Sequence, residues 1–269
     1  MTFQNLTAGI GAIPSTGFFT EVDVTPPEQF WDPSFINTQI WLDASDSNTI
    51  IESAGLVSQW SDKSGKSNNV EQPIGSEQPL TGSRVLNNLN VLDFASDKSL
   101  ERSNLFHDPD FIWVGVWDVD SGPCLMSQTD AQGMNMYDNS IQLQTDGNTN
   151  YIAGAQTGPT IISYDIDRTG LSQASVYLNG TLDITDVLTV DIGEGRFRIN
   201  ANRVGGSNAD AGHCEIIVTN LRSDNIRQRI EGYLAWKWGL EANLPVGHPY
   251  KSAPPTVDSD FNNDYNNDF

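Results

Sequence analysis

The stretch Val176-Tyr177-Leu178-Asn179-Gly180-Thr181-Leu182-Asp183-Ile184 decides the fold class. Asn179-Gly180 supplies the two positive φ angles of a tight two-residue turn, and apolar residues alternate on both sides of it, so the segment predicts a β-hairpin. Val176, Leu178, Leu182 and Ile184 are expected to share its buried face. Working outward, the same period of two recurs. In Phe111 to Asp118, Ile112, Val114 and Val116 take one face while Trp113, Gly115 and Trp117 take the other, which predicts a central strand covered on both sides. Ile141 and Leu143 alternate with Ser140, Gln142 and Gln144, the pattern of a strand buried on one side only. Ile40-Trp41-Leu42, Val91 to Phe94, Arg196 to Ile199 and Glu215 to Val218 read as further short strands between turns.

One segment breaks the pattern. Ser223 is placed to cap a helix, Asp224 sits in its first turn, and Ile226, Ile230, Tyr233, Leu234 and Trp238 recur at spacings of three and four. Gly239 and Pro245 end it, and Gly232 inside it predicts close approach to a neighbouring element. The expected fold is therefore an all-β antiparallel sandwich with one C-terminal helix at about 223–239.

Composition agrees with many turns and limited charge: 23 Gly and 13 Pro in 269 residues, with only 18% charged. Fourteen Lys and Arg against 35 Asp and Glu leave a net charge of −21, which repels phosphate backbones and anionic bilayers and excludes both as natural partners. Residues 2–5 carry no base and no long apolar run follows, so neither a secretory signal nor a membrane span is expected. Cys124 and Cys214 read as small core residues.

Residues 1–36, with scattered Gly, Pro and aromatics, read as an N-terminal arm, residues 37–253 as the sandwich with its closing helix, and 254–269 as an acidic aromatic tail. In that tail Phe261, Tyr265 and Phe269 alternate with Asp260, Asp264 and Asp268, a spacing suited to anchoring on a partner with apolar pockets and basic residues.

Ile40-Trp41-Leu42-Asp43-Ala44-Ser45-Asp46, Val57-Ser58-Gln59-Trp60-Ser61-Asp62-Lys63-Ser64-Gly65, the run Ile230 to Leu240 with its Trp236-Lys237-Trp238-Gly239, and Leu244 to Tyr250 with Gly247-His248-Pro249-Tyr250 form a set. Together they resemble the concanavalin A-like, laminin G-like jelly rolls found in tailed-phage virion proteins and in large bacterial surface proteins. The resemblance implies a two-sheet antiparallel jelly-roll sandwich, lectin-like and displayed on a virion as a capsid decoration, head fibre or tail fibre component. Its partners would be a major capsid or other virion protein and a host-surface glycan, with homo-oligomerisation an open question. The alternatives are a carbohydrate-binding module of a bacterial surface protein and, last, a glycan-active enzyme.

Enzymatic activity is not expected. Glycoside hydrolases with this sandwich carry a Glu-x-Asp-x-x-Glu strand pattern that is absent here, and His107, His213 and His248 lie in no recognisable catalytic setting. His213 and Cys214 are adjacent on a strand and should face opposite ways. Zinc lacks ligand spacing; calcium has candidates in Asp43, Asp46 and Asp62, with Asp138, Asn139, Asp146 and Asn148 in presumed loops. Of the seven tryptophans, Trp41, Trp60, Trp113 and Trp238 read as core, while Trp117 near a strand end and Tyr137 in a loop are the glycan-stacking candidates.

Overall fold

The computed structural model describes residues 29–95, 97–105, 110–122, 124–128, 133–137, 140–145, 148–153, 157–187, 195–202, 205–206 and 208–257. Among them, seventeen strands follow in chain order. The first seven are β1 (Thr38–Asp43), β2 (Ile50–Ser53), β3 (Leu56–Trp60), β4 (Val70–Glu71), β5 (Leu80–Leu86), β6 (Leu89–Phe94) and β7 (Leu100–Leu105). Next come β8 (Phe111–Ser121), β9 (Cys124–Gln128), β10 (Gly133–Tyr137), β11 (Ser140–Thr145) and β12 (Asn148–Ala153). The last are β13 (Gly158–Asp167), β14 (Gln173–Leu178), β15 (Thr181–Val187), β16 (Gly195–Ile199) and β17 (Asp210–Thr219), followed by the helix α1 (Asp224–Trp238).

Antiparallel pairing builds two layers. The first runs β15-β14-β13-β8-β17-β1. The second runs β12-β11-β10-β9-β16-β7-β4-β3-β2. The hairpin β5–β6 joins them at one side, β6 pairing with β17 and β5 meeting β3. The side chains between the layers form one apolar core that includes Leu42, Trp60, Trp113, Tyr164, Phe197 and Ile216. Trp113 of the first layer meets Phe197 of the second at 5.5 Å between ring centroids, which places the layers face to face.

The expected faces of β8 hold: Trp113 and Trp117 enter this core, while Ile112, Val114 and Val116 point to the other side, where α1 packs. Ser223 caps that helix by accepting from the Ile226 N–H, and Gly239 closes it in the left-handed conformation at φ 71°. Ile226, Ile230, Leu234 and Trp238 bury one stripe of the helix against the first layer. The close approach expected at Gly232 is real: a Cβ there would lie 2.5 Å from the Tyr250 Cβ.

The hairpin is also real, with Asn179 at φ 49° and Gly180 at φ 77°. Leu182 corrects the reading of its face. A register shift sets Val176 opposite Ile184 but Tyr177 opposite Leu182, so Leu182 is 52% exposed instead of joining the core.

Residues 29–36, read as the end of an arm, belong to the packed layer: Trp31 is buried among the helix-side residues. Trp31 N–H donates to the Pro255 carbonyl and Val257 N–H to that of Gln29, so the two ends of the described domain run antiparallel side by side. Residues 1–28 and the tail residues Asp260, Phe261, Asp264, Tyr265, Asp268 and Phe269 lie outside the described residues. No helix among the described residues is long and apolar enough to cross a membrane.

Candidate functional site

Three of the four motif segments converge on one buried group of charges. A register shift between His213 and Glu215 makes Cys214 the extra residue of a β-bulge in β17. The bulge turns both Cys214 and Glu215 toward the helix, while His213 remains on the core side. Glu215 is fully buried. Its Oε1 accepts from Trp41 Nε1 at 2.7 Å and from the Tyr233 hydroxyl at 3.0 Å. Its Oε2 accepts from Trp238 Nε1 at 2.9 Å and from the Lys237 ammonium at 2.7 Å. The same ammonium lies 2.9 Å from Asp43 Oδ1, and Lys63 stands 2.9 Å from Asp43 Oδ2 and 3.0 Å from Asp46.

Burial pushes the Glu215 carboxyl up, against the opposing charge of Lys237. For Asp43, burial also acts upward, but Lys237 beside it and hydrogen bonds from Ser45, Lys237 and Lys63 hold the carboxyl below its usual range. Four donors on Glu215 occupy both oxygens as an ionised carboxylate requires. The cluster therefore fastens α1 to β1 and β17.

These positions correct the calcium reading. Asp43 and Asp46 are neutralised by Lys63, and Asp62 does separate work. Asp62 Oδ1 accepts from the Trp41 and Ser64 N–H groups, and Oδ2 from the Asn68 N–H and the Ser64 hydroxyl. Together with the Lys63 N–H on the Trp41 carbonyl and the Asn68 amide on the Gln39 carbonyl, this covers the outer backbone edge of β1. Among the described residues no group of three or more His, Cys, Asp or Glu is placed to hold a metal ion. Asp138, Asn139 and Asp146 lie outside the described residues, and Asn148 opens β12.

Trp117 is corrected as a glycan platform. β8 runs on to Ser121, so Trp117 is no strand end; it is fully buried and donates from Nε1 to His213 Nδ1 at 3.1 Å. His213 Nε2 then faces Asn200 Oδ1 at 3.4 Å, and burial pushes this imidazole down to about 3, so it is neutral. Cys214 is a free, buried thiol on the opposite face, its pKa raised by burial, and the two adjacent residues cannot act together. His248 is buried and bonds Glu231 Oε2 at 3.1 Å; Glu231 also holds Arg227 and the Ser163 hydroxyl, tying α1 to β13. Tyr137 ends β10, a strand where a loop was expected, and its side chain lies outside the described set.

A polar row crosses the second layer. The register aligns Tyr151, Gln142, Asn135, Ser127, Arg198, Glu101, Glu71 and Gln59 in one row across eight strands. The adjacent row, Ile152, Ile141, Met136, Met126, Ile199 and Leu100, is apolar, and Ile199 and Leu100 lie in the core. By the period of two, the described side chains of the polar row take the opposite face, where Ser127 and Arg198 are buried, Gln59 and Glu101 are half-buried and Glu71 is exposed. Arg198 and Arg196 stand 3.3 and 3.2 Å from Glu101, and the Ser127 hydroxyl is buried without a partner. A cleft of about 300 Å³ lined by Asn69, Glu71, Pro73, Glu101, Arg102 and Ser103 borders this row. This cleft, with the exposed Glu71 and the half-buried Glu101 of the row, is the candidate binding site.

No family model and no curated protein matches the chain. Solved structures match its fold. Domain 4 of AbnA, a GH43 extracellular arabinanase from Geobacillus stearothermophilus solved with arabinotriose, aligns with TM-score 0.51 and 9% identity, covering 68% of this chain and 91% of that one. An arabinofuranosidase complexed with arabinofuranosyl-α-1,2-xylobiose gives 0.53 and 12%, covering 74% and 58%. The receptor-binding domain of botulinum neurotoxin type G gives 0.51 and 12%, covering 75% and 52%. The chain thus spans nearly all of the first and little more than half of the other two. At these identities the likeness shows an all-β sandwich.

Proposed function

We propose that this protein is a non-catalytic glycan-binding sandwich carried as an accessory component of a tailed-phage particle. The cleft lined by Asn69, Glu71, Glu101, Arg102 and Ser103 carries the glycan reading, because it offers amide, hydroxyl and charged groups at an accessible edge of the polar row. The likeness to an arabinanase domain solved with arabinotriose supports it. Asp43 and Glu215, paired across β1 and β17, are buried with a lysine between them, which leaves no room for a sugar and a water at that pair. The virion placement rests on the motif resemblance and on the acidic aromatic tail as an anchor for a shell protein.

The test is a glycan array including arabino-oligosaccharides, probed with the wild type and with Glu71→Ala, followed by hydrolysis assays on the glycans retained. Retention by the wild type, loss in the variant and no hydrolysis support the reading; absence of retention, or retention untouched by the substitution, overturns it. Density for the sandwich on virions of the encoding phage tests the placement. A second reading, a carbohydrate-binding module of a bacterial surface protein, is favoured by the 91% coverage of the arabinanase domain solved with arabinotriose and predicts glycan retention without virion density.

A further inference from the structure

Four groups lie in a chain of contacts: Glu215, Lys237, Asp43 and Lys63, each within 2.9 Å of the next. Glu215 and Asp43 are buried side chains, and the ring faces of Tyr233 and Trp238 flank the Lys237 ammonium, with centroids 5.5 Å from it. The geometry points to an autocatalytic amide cross-link between the Lys237 side chain and the Asp43 carboxyl, with Glu215 as its base and Lys63 as its acid.

The order of the groups suits this reaction. Glu215 Oε2, at 2.7 Å, is placed to take a proton from the Lys237 ammonium and free its amine. The amine already touches Asp43 Oδ1 at 2.9 Å, so attack on Cγ needs only a small movement. Lys63, at 2.9 Å from Oδ2, is placed to protonate the oxygen that leaves. One C–N bond forms and the Cγ–Oδ2 bond breaks. Two of the three ammonium protons depart with Oδ2 as water, the third stays on the amide nitrogen, and Glu215 and Lys63 end as they began. No electrons are gained or lost. Burial of the Asp43 and Glu215 carboxyls beside Trp41, Tyr233 and Trp238 limits the bulk water that would reverse the step. Burial that raises the Glu215 carboxyl makes it the better base.

The bond would join β1, near the start of the domain, to α1, near its end, closing 193 residues into a covalent loop (237 − 43 − 1). Such a closure suits a protein held on the outside of a particle.

Intact-mass spectrometry of the purified full chain under denaturing conditions decides it. The expected mass is one water below the sequence mass, with digestion yielding a branched peptide that joins the Asp43 and Lys237 segments. Lys237→Arg, which keeps the charge but cannot form this bond, should restore the sequence mass. A wild type at the full sequence mass, or a water loss mapped to any other residue, overturns the proposal.

Discussion

Asp43 and Glu215 stand opposite one another on β1 and β17, and the Lys237 ammonium lies 2.9 Å from the first and 2.7 Å from the second. Two like charges in adjacent register would repel; the lysine reverses the sign of that contact and brings the helix with it. Glu215 also accepts from two indoles and a phenol, so truncating it strips four donors of one partner. Glu215→Ala should lower stability by about 3–5 kcal/mol. Denaturant unfolding followed by tryptophan emission checks this, because Trp41 and Trp238 both lose an acceptor.

His213 sets a pH dependence. Its folded-state pKa is about 3 against 6.5 in the unfolded chain, because burial disfavours the charged ring and Arg84 adds a like charge. The unfolded chain therefore binds the proton first. The contribution is fully present above pH 6.5 and is lost as pH falls toward about 3. His213→Gln should flatten the acid side of the stability curve across that window, and unfolding midpoints measured pH by pH would show it. Parallel curves for the two proteins would refute the assignment.

Gly232→Ala opposes helix propensity to packing. Alanine favours the helix by about 1 kcal/mol, but its Cβ would meet the Tyr250 Cβ at 2.5 Å, a contact with an overpacking cost of about 1–3 kcal/mol. The substitution should destabilise the wild type and become neutral or stabilising in a Tyr250→Gly background. A double-mutant cycle measures that coupling.

Local chemistry made much of the fold legible. Asn179-Gly180, Ser223, Gly239 and the alternation through Ile112 to Trp117 each act over a few residues, and each behaves as read. The bulge at Cys214 was not legible, since one inserted residue leaves no mark on composition yet decides which way Glu215 points. A lone Glu beside Ile216-Ile217-Val218 was the available signal: an acid in an apolar strand needs a buried cation. Trp117 was misplaced because the apolar run seemed to stop at Asp118, whereas β8 continues to Ser121. The polar row of the second layer was half visible, in the alternation of Gln142 and Gln144 with Ile141 and Leu143; its alignment with Arg198 and Glu101 depends on pairings between distant strands.

Asp62 offers the sharpest test of a motif residue with a purely structural task. β1 pairs on one side with β17, and its other backbone edge meets the loop that Asp62 organises. One carboxylate serves three backbone N–H groups, those of Trp41, Ser64 and Asn68, so Asp62→Ala would leave partly buried donors unpaired. A cost of about 1–3 kcal/mol follows, together with an open strand edge prone to pairing with another chain. Hydrogen exchange should show the Trp41 amide losing protection while amides in the middle of β8 keep theirs, and light scattering should show association. Chelator or added calcium should leave the wild-type midpoint unchanged, because at Asp43 and Asp46 the cation is Lys63. A midpoint that rises with calcium would mean that the carboxylates rearrange around a metal.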